Sequence, residues 1–311
     1  MLDTHLVKNK IRKYKNLYII SRLICKKNPL QEKRIIKIFL DQNNQYFSDS
    51  EKICKEIIFL KNKLRLKLLD IANFYNNFCF ETIKEQIFLK KNKTYRAIYE
   101  KNNNLALYSS EKKMIEYMIA LMLTQVFWKS HVKIIHWYKN NVKNFRIKNF
   151  LEIGAGHGLL AKILLSKEVV KEADICDISG LSIKFSKYTL RKEIIKKNVN
   201  FIRKDFFSLK IKKKYDFIIM GEVIEHVVNP NKFLKKAKLL LRKNGKVFIS
   251  TCANCAQKDH LYHFKKISEI RSLLKKNSFR IESEFVSPSE DICEKFWQKE
   301  MIAINYCAIL S

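Results

Sequence analysis

Hydrophobic positions along the 311-residue chain follow two different periodicities. Up to about residue 140, apolar side chains recur every three to four positions, a spacing that predicts amphipathic helices. From residue 146 onward, short runs rich in β-branched residues alternate with helical segments. Strands that alternate with helices predict right-handed crossovers and a mostly parallel sheet. We therefore expect an all-helical N-terminal region, residues 1–109, and an α/β domain, residues 110–311.

The strands of the α/β domain are predicted from seven apolar runs, and helices are predicted between most of them. The last two runs lack a clear helix between them, so we expect an antiparallel edge strand in a doubly wound, Rossmann-like, seven-stranded sheet. The predicted strands cover residues 150–154, 172–178, 199–205, 215–221, 246–251, 280–286 and 305–310. The predicted helices cover residues 159–167, 181–197, 231–243 and 268–276.

Two local signals mark helix starts in the N-terminal region. Asn28 before Pro29 fits an N-cap followed by a proline in the first turn. Ser48 with Glu51 fits a capping box. A further helix is predicted over residues 110–140. Since no catalytic motif stands before it, we expect the N-terminal region to cap a substrate pocket or to bind substrate or a partner.

The formal net charge of +32 would ordinarily indicate a polyanionic partner. The charge is spread evenly, however, at net +13 over residues 1–110 and net +15 over residues 145–311. Abundant Lys, Asn and Ile, with only six glycines and three prolines, is typical of A/T-rich codons. We therefore expect a small-molecule or carrier-bound substrate, and nucleic acid is the second alternative.

The sequence gives no sign of secretion or of membrane insertion. No apolar segment of signal-peptide length opens the chain. The longest apolar run, residues 114–128, is shorter than the roughly 20 residues that cross a bilayer. With eight cysteines and no secretory segment, the sequence predicts reduced thiols in a cytoplasmic protein that has no membrane partner.

Three of the six glycines stand at alternate positions of one loop, LEIGAGHGLL. Gly154, Gly156 and Gly158 follow the first predicted strand and open the next helix. At that position the backbone must turn tightly and approach a ligand, and free amides at the helix start face it. The loop predicts a cofactor site, for which a nicotinamide dinucleotide and S-adenosylmethionine are the two alternatives.

The spacing of the loop departs from the dinucleotide fingerprint, which places its third glycine where Leu159 stands. Glu152 followed by the three glycines instead resembles motif I of the class I S-adenosylmethionine-dependent methyltransferases. Asp205-Phe206 at the end of the third strand also resembles that family, as does Glu222 after the fourth.

The resemblance covers residues 110–311 and implies S-adenosylmethionine as the cofactor. It also assigns a role to each matching position. The implied set is Glu152 for the methionine amino group, Gly154, Gly156 and Gly158 for the methionine and ribose region, Asp177 for the ribose, Asp205 and Phe206 for the adenine, and Glu222 at the methionine end.

Two later loops carry acidic residues and histidines where adjacent strands end. GEVIEHVVNP contains Glu222, Glu225 and His226, and it resembles the ubiquinone-biosynthesis O-methyltransferases. STCANCAQKDHLYHF contains His260 and His263, and it resembles methyltransferases of natural-product pathways. Ligands bind at this edge of a doubly wound sheet. We therefore expect O-methylation of a hydroxyl on a small-molecule or carrier-bound intermediate.

Deprotonation of that hydroxyl has two alternative explanations. His260 or His263 is the favoured general base, and His226 is a weaker candidate. Alternatively, Glu222, Glu225, His226 and His263 bind a divalent ion, a set that partly resembles the small-RNA 3′-terminal 2′-O-methyltransferases. A noncatalytic methyltransferase-like subunit is the remaining alternative, and the complete glycine loop argues against it.

Overall fold

The computed structural model describes residues 10–100, 110–210 and 213–311. No helix in this part of the chain is long and apolar enough to cross a membrane. The predicted boundary after residue 109 lies outside the described residues.

The chain divides into two compact units, each assembled from two segments. The first unit is formed by Met1–Glu81 with Lys112–Val132, and the second by Thr82–Glu111 with Lys133–Ser311. The second unit thus contains the end of the predicted helical region and most of the predicted α/β domain, whereas Lys112–Val132 of that predicted domain belongs to the first unit.

Helices account for nearly all of the described chain before the sheet, which confirms the helical N-terminal region. Asn28 is an N-cap, as predicted, because its side chain accepts a hydrogen bond from Leu30 N. The single helix predicted over residues 110–140 is instead two helices that meet at Trp128. The helices are α1 (Lys15–Lys27), α2 (Pro29–Leu40), α3 (Asn44–Lys63), α4 (Leu68–Asn92), α5 (Arg96–Tyr99), α6 (Glu111–Phe127) and α7 (Lys129–Val142).

The predicted capping box is wrong, and the structure shows why. Helix α3 begins earlier, with Asn43 as its N-cap accepting from Tyr46 N at 3.0 Å. Ser48 and Glu51 therefore lie inside the helix. The Glu51 carboxylate instead accepts a hydrogen bond from Leu17 N at 2.9 Å, so it satisfies a free amide in the first turn of α1.

The second unit contains the predicted seven-stranded sheet in the order β3-β2-β1-β4-β5-β7-β6. Strand β7 runs antiparallel between β5 and β6, and the other pairings are parallel. The doubly wound fold and the antiparallel pairing of the last two strands are confirmed. The elements are β1 (Asn149–Ile153), α8 (Leu159–Leu165), β2 (Glu172–Asp177), α9 (Gly180–Thr189), β3 (Asn198–Arg203), β4 (Tyr215–Gly221), α10 (Pro230–Leu240), β5 (Leu241–Ala253), α11 (Ile267–Lys276), β6 (Ile281–Pro288) and β7 (Ile304–Leu310).

Two predicted helices are too long. Helix α9 ends at Thr189, and the following turns leave Ile195 81% exposed, so no buried face continues the helix toward residue 197. Helix α10 ends where β5 begins, because Leu241 already pairs with Tyr215 of β4.

The sheet is buried on both faces. Leu151 and Ile218 belong to the apolar layer on one face, whereas Phe150 and Phe217 belong to the layer on the other. All four side chains are fully buried. The carboxyl ends of the parallel strands therefore meet along one edge of a fixed scaffold, where the predicted site loops begin.

Candidate functional site

The glycine loop between β1 and α8 requires glycine for steric reasons. Gly154, Gly156 and Gly158 have φ values of +67°, +51° and +74°, in the left-handed region that side chains disfavour. A Cβ on Gly154 would lie 2.6 Å from Val223 Cγ2, and one on Gly158 would lie 3.2 Å from Ser186 Cα. The loop thus turns away from its strand with no room for side chains at these two positions.

Asp177, the last residue of β2, holds this loop from the neighbouring strand. Its Oδ2 accepts a hydrogen bond from Gly156 N at 3.0 Å, and its Oδ1 accepts from Ser179 N at 2.8 Å. Burial raises the pKa of the carboxyl, and both backbone hydrogen bonds oppose that shift. Each oxygen keeps a further lone pair, so the carboxylate can also accept from ribose hydroxyls.

Glu152 lies on β1 directly before the loop, only 2% exposed, and its Oε2 has no hydrogen-bond partner. Burial, reinforced by the nearby Asp177 charge, raises the pKa of its carboxyl to about 8. A buried carboxylate oxygen without a partner is stabilised by a cationic ligand group. The side chain therefore suits the predicted ammonium end of the cofactor.

The predicted adenine pair is divided between surface and core. Asp205 is exposed, and its carboxylate accepts from Phe207 N at 2.7 Å. Phe206 is 5% exposed and packs against Phe233 with ring centroids 4.5 Å apart. Phe207, which the sequence reasoning did not single out, is 48% exposed. Of the two aromatic rings, Phe207 is the one available to a ligand without repacking of the core.

The loop after β4 brings two acidic side chains together. Glu222 has a φ of +52° and donates its backbone N–H to Ser250 O at 3.0 Å. Glu225 is 1% exposed, and its Oε2 accepts from Thr251 Oγ1 at 2.8 Å while its Oε1 has no partner. Burial, and next the Glu222 charge, raise the pKa of Glu225 well above its usual range. The role of Thr251 was missed, although a polar residue at the end of a buried strand was a usable signal.

Two histidines adjoin Glu225, with ring centroids 4.8 Å apart. His226 Nδ1 lies 3.0 Å from the carbonyl oxygen of Asp259, and His260 Nδ1 lies 2.7 Å from that of Cys255. Because a carbonyl only accepts, each Nδ1 carries a proton, and in the neutral imidazole each Nε2 then keeps its lone pair. Ligand atoms of Glu225, His226 and His260 all lie within 4.8 Å of one another. Burial, and next His226, lower the pKa of His260 to about 3.

His263 has different neighbours. Its Nε2 donates to Asn254 Oδ1 at 2.9 Å, an orientation fixed because Asn254 Nδ2 donates to Lys265 O. Its ring stacks on Tyr95 with centroids 4.2 Å apart. Burial, and next Lys265, lower its pKa to about 4. The structure thus brings His260, rather than His263, to the group that contains Glu225.

Within the second unit, the last part of the helical region packs on the loop after β5 that carries His260 and His263. Gln86 Nε2 donates to Asn254 O at 3.0 Å, and Gln86 Oε1 accepts from Ala256 N at 3.2 Å. Gln257 Nε2 donates to Thr82 Oγ1 at 2.9 Å. These residues were missed, because nothing local in the sequence pairs positions about 170 residues apart.

Comparison with known proteins shows the family of this chain. A sequence model of the methyltransferase domain matches residues 127–289, more than half of the chain. The chain is 31% identical over 177 residues to a ubiquinone biosynthesis O-methyltransferase of Pelagibacter ubique, covering 53% of this chain and 70% of that protein. It is 28% identical over 164 residues to the protein of the same name in Rickettsia prowazekii, covering 52% of this chain and 63% of that protein.

Among solved structures, an S-adenosylmethionine-dependent methyltransferase from Clostridium acetobutylicum is 12% identical, with a TM-score of 0.46, and covers 63% of this chain and 98% of that one. The match to the domain model spans β1 to β6 and so includes the glycine loop and the loops after β4 and β5. The chain belongs to the class I S-adenosylmethionine-dependent methyltransferases.

Proposed function

We propose that the protein methylates a hydroxyl oxygen of a small-molecule or carrier-bound intermediate. The observation that carries the proposal is the convergence of Glu225, His226 and His260, whose ligand atoms lie within 4.8 Å of one another. They follow β4 and β5, and β4 is the sheet neighbour of β1, which leads into the glycine loop. Acceptor and cofactor sites on adjacent strands suit direct methyl transfer, which depends mainly on orientation.

This convergence suits oxygen as the acceptor atom. An alcohol is a poor nucleophile at neutral pH unless a base or a cation promotes loss of its proton. Bound S-adenosylmethionine supplies the electrophilic methyl group, so the chain needs no nucleophile of its own. Its remaining tasks are to orient the hydroxyl and to promote its deprotonation.

The donor set favours cation binding over general-base catalysis. In their neutral forms both imidazoles present an unprotonated Nε2, and the unpartnered Glu225 Oε1 is an oxygen donor beside them. A divalent cation bound here would supply charge that lowers the pKa of a hydroxyl. As a base, His260 is weak, because burial lowers its pKa to about 3. We therefore assign Glu222, Glu225, His226 and His260 to cation binding.

Several neighbours hold these groups in place. The carbonyls of Asp259 and Cys255 fix the ring orientations of His226 and His260. Thr251 Oγ1 holds one oxygen of Glu225 and leaves the other available. Partners of this kind tune metal sites by orienting the ligands.

The curated relatives support oxygen as the acceptor atom, since they are named ubiquinone biosynthesis O-methyltransferases. The identity of the hydroxylated substrate is a separate part of the proposal. It rests on the even spread of charge, which favours a small or carrier-bound molecule over a polyanion.

The test is methyl transfer by the full chain from labelled S-adenosylmethionine to a panel of hydroxylated small molecules. Chelator should abolish transfer, and a divalent cation should restore it. His260→Ala should lose both cation binding and turnover. His263→Ala is the control outside the cluster, and its turnover should keep the same dependence on cation. Transfer that is insensitive to chelator would contradict the cation assignment and favour a histidine base.

RNA is the second candidate acceptor, because Glu222, Glu225 and His226 reproduce the Glu-x-x-Glu-His spacing of the 3′-terminal 2′-O-methyltransferases. An RNA oligonucleotide with a free 3′-terminal ribose therefore belongs in the acceptor panel. Methylation of that ribose in preference to every small hydroxyl would replace the small-molecule proposal. Tight S-adenosylhomocysteine binding without transfer to any acceptor of the panel or of an extract would favour a noncatalytic subunit.

A further inference from the structure

A buried thiol stands beside the two carboxylates of the proposed cation site. Ligand atoms of Glu222, Glu225 and Cys252 all lie within 4.8 Å of one another. Glu225 also belongs to the group formed with His226 and His260. Five donor side chains are thus arranged around one shared carboxylate.

The shared carboxylate lacks the partners that a buried charge requires. Glu225 is almost fully buried, and Thr251 satisfies only its Oε2, so Oε1 is left without a hydrogen bond. Within the described ranges, no lysine or arginine forms an ion pair with Glu222 or Glu225. Two adjacent carboxyls, one buried and partly unpartnered, favour a cation among them.

The fold places Cys252 at this point. It is the second-last residue of β5, 1% exposed, and it directly follows Thr251, whose hydroxyl binds Glu225. Sulfur at this position matters chemically, because thiolate is a soft ligand that Mg²⁺ does not favour. Mg²⁺ prefers oxygen ligands, whereas thiolate and imidazole suit Zn²⁺, Co²⁺ and Fe²⁺.

We infer that Cys252 is a thiolate ligand of a cation bound on the Glu222 and Glu225 side of this site, so that the site selects a borderline ion such as Zn²⁺ over Mg²⁺. This inference rests on the cation site of the proposed function. On binding, the S–H bond breaks, a sulfur–metal bond forms, and the proton passes to solvent. No electron is transferred.

The test is a titration of the full chain with Co²⁺, followed by absorption spectroscopy. Thiolate ligation should give a near-ultraviolet sulfur-to-metal charge-transfer band, which nitrogen and oxygen ligands do not produce. Cys252→Ser should remove the band and weaken Co²⁺ binding by at least about tenfold, since one of the ligands is lost. Cys176→Ser, a buried thiol three strands away on β2, should keep the band.

The outcomes separate this inference from the proposed function. Co²⁺ binding without the band in the unmodified chain would overturn the thiolate assignment and leave the cation site standing. A band that survives in Cys252→Ser but disappears in Cys255→Ser would also overturn it. Because the band is first read in the unmodified chain, a misfolded variant cannot hide a negative result. Absence of binding for every divalent cation would overturn the cation site itself.

Discussion

Asp177→Asn tests how the glycine loop is held in place. The native carboxylate accepts from two backbone amides, Gly156 N at 3.0 Å and Ser179 N at 2.8 Å. Asparagine keeps one carbonyl oxygen, but it presents an NH₂ group to the second amide. One charge-assisted bond is lost, and two donors face each other in a site where the side chain is only 8% exposed.

The magnitude follows from those two effects. A hydrogen bond to a charged group contributes about 1.5 to 3 kcal/mol, and a buried donor without an acceptor costs about 1 to 3 kcal/mol. Removal of a buried charge offsets part of the loss, because burial raises the pKa of this carboxyl. We expect the free energy of unfolding to fall by about 2 to 4 kcal/mol. Affinity for S-adenosylhomocysteine should fall by at least about tenfold, the equivalent of 1.4 kcal/mol.

The assay is urea unfolding with calorimetric titration of S-adenosylhomocysteine. The urea concentration at the unfolding midpoint should fall. The slope of the unfolding free energy against urea concentration should stay constant, as expected when stability alone changes. Asp205→Asn is the matched control, because Asp205 accepts from Phe207 N at 2.7 Å in an exposed turn. The free energy of unfolding of that variant should fall by less than about 1 kcal/mol. Equal losses in the free energy of unfolding of the two variants would refute the role given to Asp177. Unchanged S-adenosylhomocysteine affinity in Asp177→Asn would refute it as well.

Glu152, Gly154 and the net charge of the chain each give one further prediction. Because burial raises the pKa of Glu152 to about 8, raising the pH removes its proton before binding, so S-adenosylmethionine affinity should increase between about pH 6 and 8; calorimetry should show no such rise in Glu152→Gln. Gly154→Ala should lower the free energy of unfolding by about 1 to 3 kcal/mol, because φ is +67° and the new Cβ would meet Val223; an unchanged thermal midpoint would contradict this. RNA binding driven by the net charge of +32 should disappear by about 0.2 M salt in a filter-binding assay, and tight binding at that salt would favour the RNA alternative.

The sheet and the glycine loop could be predicted because their signals are local. Strand β1 is apolar at consecutive positions, and Phe150 and Leu151 are both fully buried, on opposite faces. Adjacent apolar residues that are buried on both faces are typical of a central parallel strand. The loop could be located because glycine is scarce in this chain, and at Gly154 and Gly158 the positive φ and close neighbours disfavour a side chain.

The features that could not be predicted depend on partners distant in sequence. Glu51 follows Ser48 at the spacing of a capping box, yet its partner is the amide of Leu17, 34 residues away. His260 and His263 look equivalent in the sequence. Their hydrogen-bond partners separate them, since His260 bonds to Cys255 O whereas His263 bonds to Asn254 Oδ1 and stacks on Tyr95. Tyr95 stands before helix α5, in a part of the sequence that carries no recognisable motif.

Oxygen as the methyl acceptor is the central claim, and the chemical shift of the transferred methyl group tests it most directly. The full chain is incubated with S-adenosylmethionine labelled with ¹³C at the methyl carbon and with a small-molecule extract of its source, and the products are examined by NMR. The proposed chemistry predicts a new resonance in the methoxy range that disappears when chelator is present. A transferred label found only as N-methyl, C-methyl or S-methyl would contradict it.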